Sequence, residues 1–266
     1  MEINVLTKDK ENNKLSFILK DATPSFANAI RRIATEEVPV MAIETVEFRK
    51  NNSILYDEIV AHRLGLIPLT TDLKSYNLPT ACKCEGKGCA KCQLKLILKA
   101  KGPCTVYASD LKSKDPAIKP VYPKMPIVKL LKGQSLELEA TASLGQGREH
   151  MKWSPGLIHY KLKPTIEIDD KKCDGCGLCV EQCPTKTLEL KNNKAAVVKD
   201  HLLDCHLCDA CQDACAKKSI KIISSNDFVY YVESWGQLEC KKIVSESLKI
   251  LESQLDEFAE SIKKAE

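Results

Sequence analysis

Two runs of cysteine with the same spacing stand out in this 266-residue chain, which holds 14 cysteines in all. Each run reads C-x2-C-x2-C-x3-C, with Pro184 after the first run and Ala216 after the second. The runs are Cys173, Cys176, Cys179 and Cys183, then Cys205, Cys208, Cys211 and Cys215. Cysteines at two-residue gaps can wrap a tight loop around three corners of a cubic iron–sulfur cluster. The repeated spacing therefore predicts two 4Fe-4S clusters rather than single buried thiols or disulfides.

The fourth cysteine of each run is expected to reach the cluster of the other run, as in the two-cluster ferredoxins that this segment resembles. One cluster would be held by Cys173, Cys176, Cys179 and Cys215. The other would be held by Cys183, Cys205, Cys208 and Cys211. From Asp169 to Asp213 the segment has nine acidic residues against six lysines, a net charge of −3 before the clusters are counted. Such a segment should repel a phosphate backbone.

A second metal site is indicated by the pattern C-x-C-x4-C-x2-C, formed by Cys82, Cys84, Cys89 and Cys92 around two glycines. Four thiolates on a glycine-containing loop suit tetrahedral Zn²⁺ in a closed structural site. The alternative is a redox-labile pair of disulfides in the same loop. The two remaining cysteines, Cys104 and Cys240, are expected to be single buried thiols.

Composition limits the class of protein. The net charge is only +4, from 40 basic and 36 acidic residues. This balance does not by itself indicate a nucleic-acid-binding surface. A lysine- and proline-rich stretch from Lys112 to Lys132 is expected to be a solvated loop, with a contact to nucleic acid or a partner as the alternative. No apolar run approaches about 20 residues and the first residues lack a signal-peptide core, so we expect a cytoplasmic protein that does not enter the membrane.

The helices and strands predicted around these sites indicate an α+β fold. Residues 13 to 20 alternate as a strand does. Thr23 and Pro24 can cap and open a helix whose apolar face is formed by Phe26, Ala29, Ile30 and Ile33. A strand is expected from Val38 to Phe48, and a short helix is expected to end at a glycine and a proline, Gly65 and Pro68.

The last predicted helix has an apolar seam with spacings of 4, 3, 4, 3 and 4 residues, which is the a/d pattern of a helix that docks on another helix. The seam consists of Val244, Leu248, Leu251, Leu255, Phe258 and Ile262. The spacing alone fits the core of the chain itself and a partner subunit equally well.

No motif for catalysis is recognisable in the chain. The glycines at Gly145 and Gly147 begin a G-x-G-x-x-G pattern, but His150 occupies the third glycine position and Pro155 interrupts the segment that should form a helix. We therefore predict no active site in this chain.

Three segments and the cysteine loop resemble the assembly subunits of DNA-directed RNA polymerases, the family of bacterial alpha and its archaeal and eukaryotic counterparts. The segments are Phe26–Pro39, Glu58–Leu69 and Gly145–Pro155. The loop of residues 82–92 resembles the zinc loop of the eukaryotic relative, and the ferredoxin-like insert is similar to that of the archaeal relative. The chain is identified as a member of the archaeal branch of this family.

The resemblance implies a discontinuous architecture with three domains. A dimerisation domain would combine residues 1–50, 157–168 and 217–266. An inserted α+β domain would occupy 51–156, and the iron–sulfur domain 169–216.

The resemblance also implies partners. The family pairs with a smaller homologous subunit, L, and this heterodimer, with small subunits N and P, begins assembly of the two large catalytic subunits. The interface would use Phe26, Ala29, Ile30 and Ile33 with Val244, Leu248, Leu251, Leu255 and Phe258. Any contact with DNA would be indirect or weak.

Three functions follow as expectations. The first is a non-catalytic assembly scaffold of a nucleotidyltransferase complex, with clusters that support its folding and assembly. The second is an electron-transfer subunit of an anaerobic oxidoreductase, although the chain has no flavin or nicotinamide motif beside its clusters. The third joins the two, with the clusters acting as a redox or iron sensor that tunes polymerase assembly.

Overall fold

A computed structural model of the chain describes residues 1–265, apart from the side chain of Ser224. The fold is α+β, as the sequence predicts. The strands are β1 (Glu2–Asp9), β2 (Lys14–Lys20), β3 (Val40–Asn51), β4 (Gln93–Lys101), β5 (Cys104–Tyr107), β6 (Lys112–Ser113), β7 (Pro126–Leu130), β8 (Ser135–Gly145), β9 (Gly156–Ile168), β10 (Leu188–Lys191), β11 (Lys194–Val197) and β12 (Ile220–Ser234). The helices are α1 (Pro24–Glu36), α2 (Asp57–Gly65), α3 (Leu178–Glu181), α4 (Ala210–Asp213) and α5 (Cys240–Ala265).

The strands form two four-stranded sheets and two smaller ribbons in the described chain. One sheet has the order β1-β2-β12-β9 and the other has the order β3-β8-β4-β6. The pairs β10-β11 and β5-β7 form the ribbons. Because β9 and β12 are neighbours, the cysteine-rich segment leaves the sheet at one strand and returns at the adjacent strand. The amide of Asp169 donates to the carbonyl of Ser219 over 2.7 Å and closes the base of this excursion.

By compactness the chain divides into two units. The first comprises residues 1–6, 16–27 and 160–230, and the second comprises residues 7–15, 28–159 and 231–266. The three-domain division expected from the sequence is finer than this and stays a prediction. Its segment 217–266 ends at Glu266, which lies outside the described residues.

An extensive apolar core lies in the second unit, on one face of the β3-β8-β4-β6 sheet. Strand β4 alternates as a half-buried strand must, with Leu94, Leu96 and Leu98 buried. On its other face Lys95 and Lys99 are exposed and form ion pairs with glutamates of β8. The sheet therefore has a dry face and a charged face, and α2 covers part of the dry face with Val60 and Leu64.

Helix α1 begins where its capping residues predict. The hydroxyl of Thr23 accepts a hydrogen bond from the amide of Phe26 over 3.2 Å, and Pro24 is the first helical residue. In the first unit, the hydroxyl of Tyr230 donates to the carbonyl of Ala27 over 2.6 Å, and the ring of Tyr230 stacks on Phe17. The start of α1 is therefore fixed by a strand of the sheet.

The segment from Gly145 to Trp153 has a structural role within the second unit. A Cβ added at Gly145 would lie 2.3 Å from two ring atoms of Trp153, so only glycine lets the indole pack there. The amide of Arg148 donates to the carbonyl of Glu36 over 3.0 Å, and its guanidinium pairs with Glu37. This loop therefore holds the end of α1. It also leads into a single 3-10 turn rather than the helix that a dinucleotide-binding loop requires.

Candidate metal centres and partner surface

The first cysteine run forms a cavity together with the last cysteine of the second run. The walls of this cavity include Cys173, Cys176, Cys179 and Cys215, with Gly175, Gly177 and Ser219 between them. Three of these thiols are buried, and Cys176 is exposed at the rim. The structure thus brings Cys215 to the three thiols of the other run, which is the arrangement that one crossed 4Fe-4S site requires.

The four cysteines expected to hold the other cluster differ in their exposure. Cys205 and Cys211 are buried, Cys183 is partly buried and Cys208 is exposed. Burial, and the charges of nearby Cys183 and Cys205, raise the pKa of Cys211 to about 11. A buried thiol with that pKa stays protonated at neutral pH unless a metal displaces the proton. A metal bound at Cys211 would therefore have to displace this proton.

The two cysteine loops each have left-handed backbone at two positions. In the first loop these positions are Gly175 and Gly177, with φ of 76° and 80°. In the second loop they are Leu207 and Asp209, with φ of 57° and 58°. Leucine is strained in that region, at a cost of about 1–3 kcal/mol. The second loop therefore carries more backbone strain than the first.

Backbone amides point at sulfur in both halves. Ala195 donates to Cys173 Sγ over 3.4 Å, and Leu207 donates to Cys205 Sγ over 3.5 Å. Such N–H···S bonds stabilise thiolate ligands and are one of the ways in which proteins set cluster potentials.

The fourth cysteine of each run has further donors, which the motif alone did not reveal. Burial alone would raise the pKa of Cys183, but hydrogen bonds from the hydroxyl of Thr185 and the amide of Thr187 outweigh it and leave the pKa lowered. Burial would also raise the pKa of Cys215, but hydrogen bonds from the hydroxyl and the amide of Ser219 outweigh it and leave that pKa lowered as well. A signal was present in the sequence, because Thr187 and Ser219 each stand four residues after the last cysteine of their run.

The four thiols of the other cysteine pattern converge within the second unit. Cys82, Cys84, Cys89 and Cys92 bring their sulfur atoms within 4.8 Å of one another. The closest pairs are 3.5 Å for Cys84 and Cys92, 3.6 Å for Cys82 and Cys89, and 3.8 Å for Cys89 and Cys92. Sulfurs at the corners of a tetrahedron lie about 3.8 Å apart when each Zn–S bond is about 2.3 Å. Disulfide sulfurs would lie about 2.05 Å apart. The geometry therefore fits a zinc ion better than disulfides.

The thiols of this loop differ in their readiness to ionise. Hydrogen bonds from the thiols of Cys82 and Cys92 lower the pKa of Cys84 to about 6. Burial raises the pKa of Cys92 to about 12. One thiolate is therefore available at neutral pH to begin metal binding, and the bound cation would remove the remaining protons.

The two remaining cysteines differ from each other. Cys240 is buried, as predicted, and its Sγ lies 2.9 Å from the carbonyl of Asn13. Cys104 was predicted to be buried, and this is wrong: it is exposed at the first residue of β5, where the strand begins at the surface.

The expected partner surface is only partly available in the free chain. Helix α5 contacts the rest of the chain with its first turns, where Cys240, Ile243 and Ser247 are buried. Val244, Leu248 and Leu251 are half-buried, whereas Leu255 and Phe258 are 59% and 64% exposed. An apolar a/d seam left in solvent favours a partner helix over the chain's own core.

Helix α1 offers less surface than its apolar spacing indicates. Ile30 and Ile33 are buried within the chain, together with Ala27 and Ala34. Phe26 and Ala29 are half-exposed. Of the four residues expected on this face, Phe26 and Ala29 are the ones with area left for a partner.

The basic stretch forms a solvated surface. Its lysines are all exposed: Lys112, Lys114, Lys119, Lys124, Lys129 and Lys132. The stretch is less of a loop than predicted, because it contains the two residues of β6 and the whole of β7.

No helix among residues 1–265 is both long enough and apolar enough to cross a membrane.

The fold and the cysteine sites define a chain of the RNA polymerase alpha-like class with an iron–sulfur insert. Residues 42–170 match the model of the RNA polymerase Rpb3/RpoA insert domain, and residues 165–216 match the model of the 4Fe-4S dicluster domain. Curated relatives carry the name DNA-directed RNA polymerase subunit Rpo3. The protein of Methanosarcina acetivorans is 39% identical over 97% of each chain. That of Archaeoglobus fulgidus is 37% identical over 98% of each chain, and that of Methanothermobacter thermautotrophicus is 40% identical over 96% of this chain and 97% of its own.

At this identity and coverage, the chain belongs to the family of archaeal DNA-directed RNA polymerase subunit Rpo3. The resemblance seen in the sequence is thereby confirmed. The electron-transfer alternative gains no support from these relatives.

Proposed function

We propose that this chain is a non-catalytic assembly subunit of a DNA-directed RNA polymerase. The observation that carries the proposal is the similarity to Rpo3 proteins over nearly the whole chain, which includes the insert as well as the alpha-like part. The absence of a recognisable catalytic motif in the sequence fits a scaffold. A subunit of this kind acts by holding other subunits in place, so its function lies in its surfaces.

The proposed first partner is polymerase subunit L, which would bind along α5 and the exposed part of α1. The exposed seam at Leu255 and Phe258 supports this because a free apolar stripe on a helix gains most by packing against another helix. Residues near the centre of such a seam usually carry most of the binding energy. The heterodimer, with small subunits N and P, would then recruit the large catalytic subunits.

The proposed cofactors are two 4Fe-4S clusters and one Zn²⁺. The crossed ligand sets are those predicted from the cysteine runs, and the cavity shared by Cys215 with Cys173, Cys176 and Cys179 supports the crossing. The sulfur distances in the loop of residues 82–92 support zinc. When bound, the clusters could accept or release one electron each, whereas the closed zinc site would be structural.

The clusters are proposed to support the folding of the insert. Its small core contains the cluster cysteines themselves: Cys173, Cys179 and Cys211 pack with Leu188, Ala195 and Ile220. Without metal, the bonds between these sulfurs and iron would be lost and the thiols would be buried in protonated form. A core of this size supplies little folding free energy by itself. Changing Cys176 and Cys208 to Ser should loosen the insert and leave binding to subunit L intact. Later recruitment of the large subunits should suffer more.

The deciding experiment is anaerobic purification of the tagged chain from its own cells, with identification of partners and metal analysis. We expect the large polymerase subunits, about eight iron atoms, about eight sulfides and about one zinc per chain. A dehydrogenase partner in place of the polymerase subunits would instead support electron transfer. Intact, folded protein without zinc would contradict the structural zinc site, and about four irons would mean that one cluster site is empty.

A further inference from the structure

The two halves of the iron–sulfur segment offer their crossing cysteines the same backbone donor. The amide of Thr187 donates to Cys183 Sγ over 3.3 Å, and the amide of Ser219 donates to Cys215 Sγ over 3.3 Å. Thr187 and Ser219 are both buried. Each of the two sulfurs thus accepts a hydrogen bond of the same length from the amide four residues further along the chain.

The hydroxyl groups beside the two sulfurs lie at different distances from them. The hydroxyl of Ser219 lies 3.1 Å from Cys215 Sγ. In the other half the hydroxyl of Thr187 instead lies 2.7 Å from the hydroxyl of Thr185, which is 3.6 Å from Cys183 Sγ. Cys215 therefore has the shorter hydroxyl contact, 3.1 Å from Ser219, and Cys183 has a longer one, 3.6 Å from Thr185.

A hydroxyl beside a ligating sulfur acts as a donor because a thiolate can only accept. One-electron reduction of a 4Fe-4S cluster adds one negative charge, part of which falls on the ligand sulfurs. A hydrogen bond to sulfur stabilises the reduced state more than the oxidised state and raises the reduction potential. A buried donor such as Ser219 acts with little screening by water.

We propose that Ser219 is a positioning residue whose hydroxyl raises the reduction potential of the cluster ligated by Cys215. The hydroxyl of Thr185 raises the potential of the cluster ligated by Cys183 by a smaller amount. This inference rests on the crossed ligand sets proposed above. It makes the two clusters chemically distinct despite their identical cysteine spacing, since each is tuned by the residues that follow its crossing cysteine.

The test compares Ser219→Ala, Ser219→Thr and Thr185→Val with the wild-type full chain bound to subunit L. Each protein is purified anaerobically, its iron and sulfide are measured, and both midpoint potentials are determined by redox titration followed by electron paramagnetic resonance. Threonine is a conservative control because its side chain keeps a hydroxyl on the same carbon as serine does. Valine at 185 keeps the shape of threonine and removes only the hydroxyl.

Ser219→Ala should lower one midpoint potential, with a reduction equilibrium about three- to tenfold less favourable, and leave the other unchanged. Tenfold corresponds to about 59 mV for a one-electron couple. Ser219→Thr keeps the hydroxyl and should leave both midpoint potentials at their wild-type values. Thr185→Val should lower the other potential by less, as its longer contact requires.

Unchanged potentials in an iron-replete Ser219→Ala protein would overturn the inference and leave the ligand sets standing. If that variant loses iron, Thr185→Val decides, and unchanged potentials in it would overturn the inference. A wild-type chain without iron or sulfide would refute the clusters themselves, which the iron analysis separates from a tuning failure.

Discussion

Truncation of the exposed end of the α5 seam is expected to weaken binding to subunit L without harming the fold. Leu255 and Phe258 are 59% and 64% exposed in the free chain, so most of each side chain is available to a partner and little is needed internally. The change we consider is Leu255→Ala with Phe258→Ala, which keeps a good helix former at both positions.

The expected size follows from these exposures. Full burial of a leucine or phenylalanine side chain contributes about 1.5–3 kcal/mol. The exposed three-fifths of each side chain would thus contribute about 1–2 kcal/mol if the partner covers it, and alanine retains only part of this. The pair should weaken binding by about 2–3 kcal/mol, which is about 30- to 150-fold in Kd.

The assay is calorimetric titration of the chain with subunit L, beside thermal unfolding of the chain alone. Ile54→Ala is the matched control, since Ile54 is 79% exposed on a segment outside the proposed interface and should change neither measurement. Ile243→Ala is the opposite control, because Ile243 is fully buried in α5 and its truncation should destabilise the chain by about 2–5 kcal/mol. A Kd within about threefold of wild type for the double variant would refute the assignment of this seam to subunit L.

Three further predictions concern the second unit. Tyr76 donates to Asp115 over 2.7 Å, and burial with this bond raises the pKa of Tyr76 to about 12. Because the pKa of Tyr76 in the folded chain lies above the unfolded value near 10, the bond to Asp115 stabilises the fold fully below pH 10 and loses this effect as pH rises through 12. Tyr76→Phe should therefore remove this contribution to the fall in unfolding free energy at alkaline pH, as measured by denaturant titration. Gly145→Ala should lower stability by about 1–3 kcal/mol, because the new Cβ meets the ring of Trp153, and an unchanged melting temperature would contradict the packing. Cys84→Ser should lower the bound zinc measured by mass spectrometry and leave the iron unchanged, whereas loss of both metals together would contradict a separate zinc site.

Local patterns predicted the elements of the fold well. Thr23 and Pro24 fixed the start of α1, and alternation between residues 13 and 20 predicted β2, because caps and periodicity depend on neighbouring residues. The order of strands depends on distant contacts instead. Nothing local in the sequence shows that β9 and β12 are neighbours and that the insert therefore leaves and returns at one place.

The same limit applies to the sites. Regular spacing predicted the cysteines that converge in the loop of residues 82–92, since those ligands are close along the chain. Helical spacing placed Ile30 and Ile33 on an apolar face but could not tell whether that face meets the chain's own core or a partner, and both are buried internally. The role of Ser219 was missed because its position four residues after Cys215 does not by itself show that its hydroxyl lies beside the sulfur.

The central claim is that this chain is required for polymerase assembly, and stepwise reconstitution under anaerobic conditions tests it most directly. The purified subunits are mixed with and without this chain, and the complexes are separated by size and assayed for promoter-dependent RNA synthesis. We expect that without the chain the large catalytic subunits stay apart and make no promoter-dependent RNA, and that adding it back restores both. Assembly and transcription at wild-type levels in its absence would contradict the account.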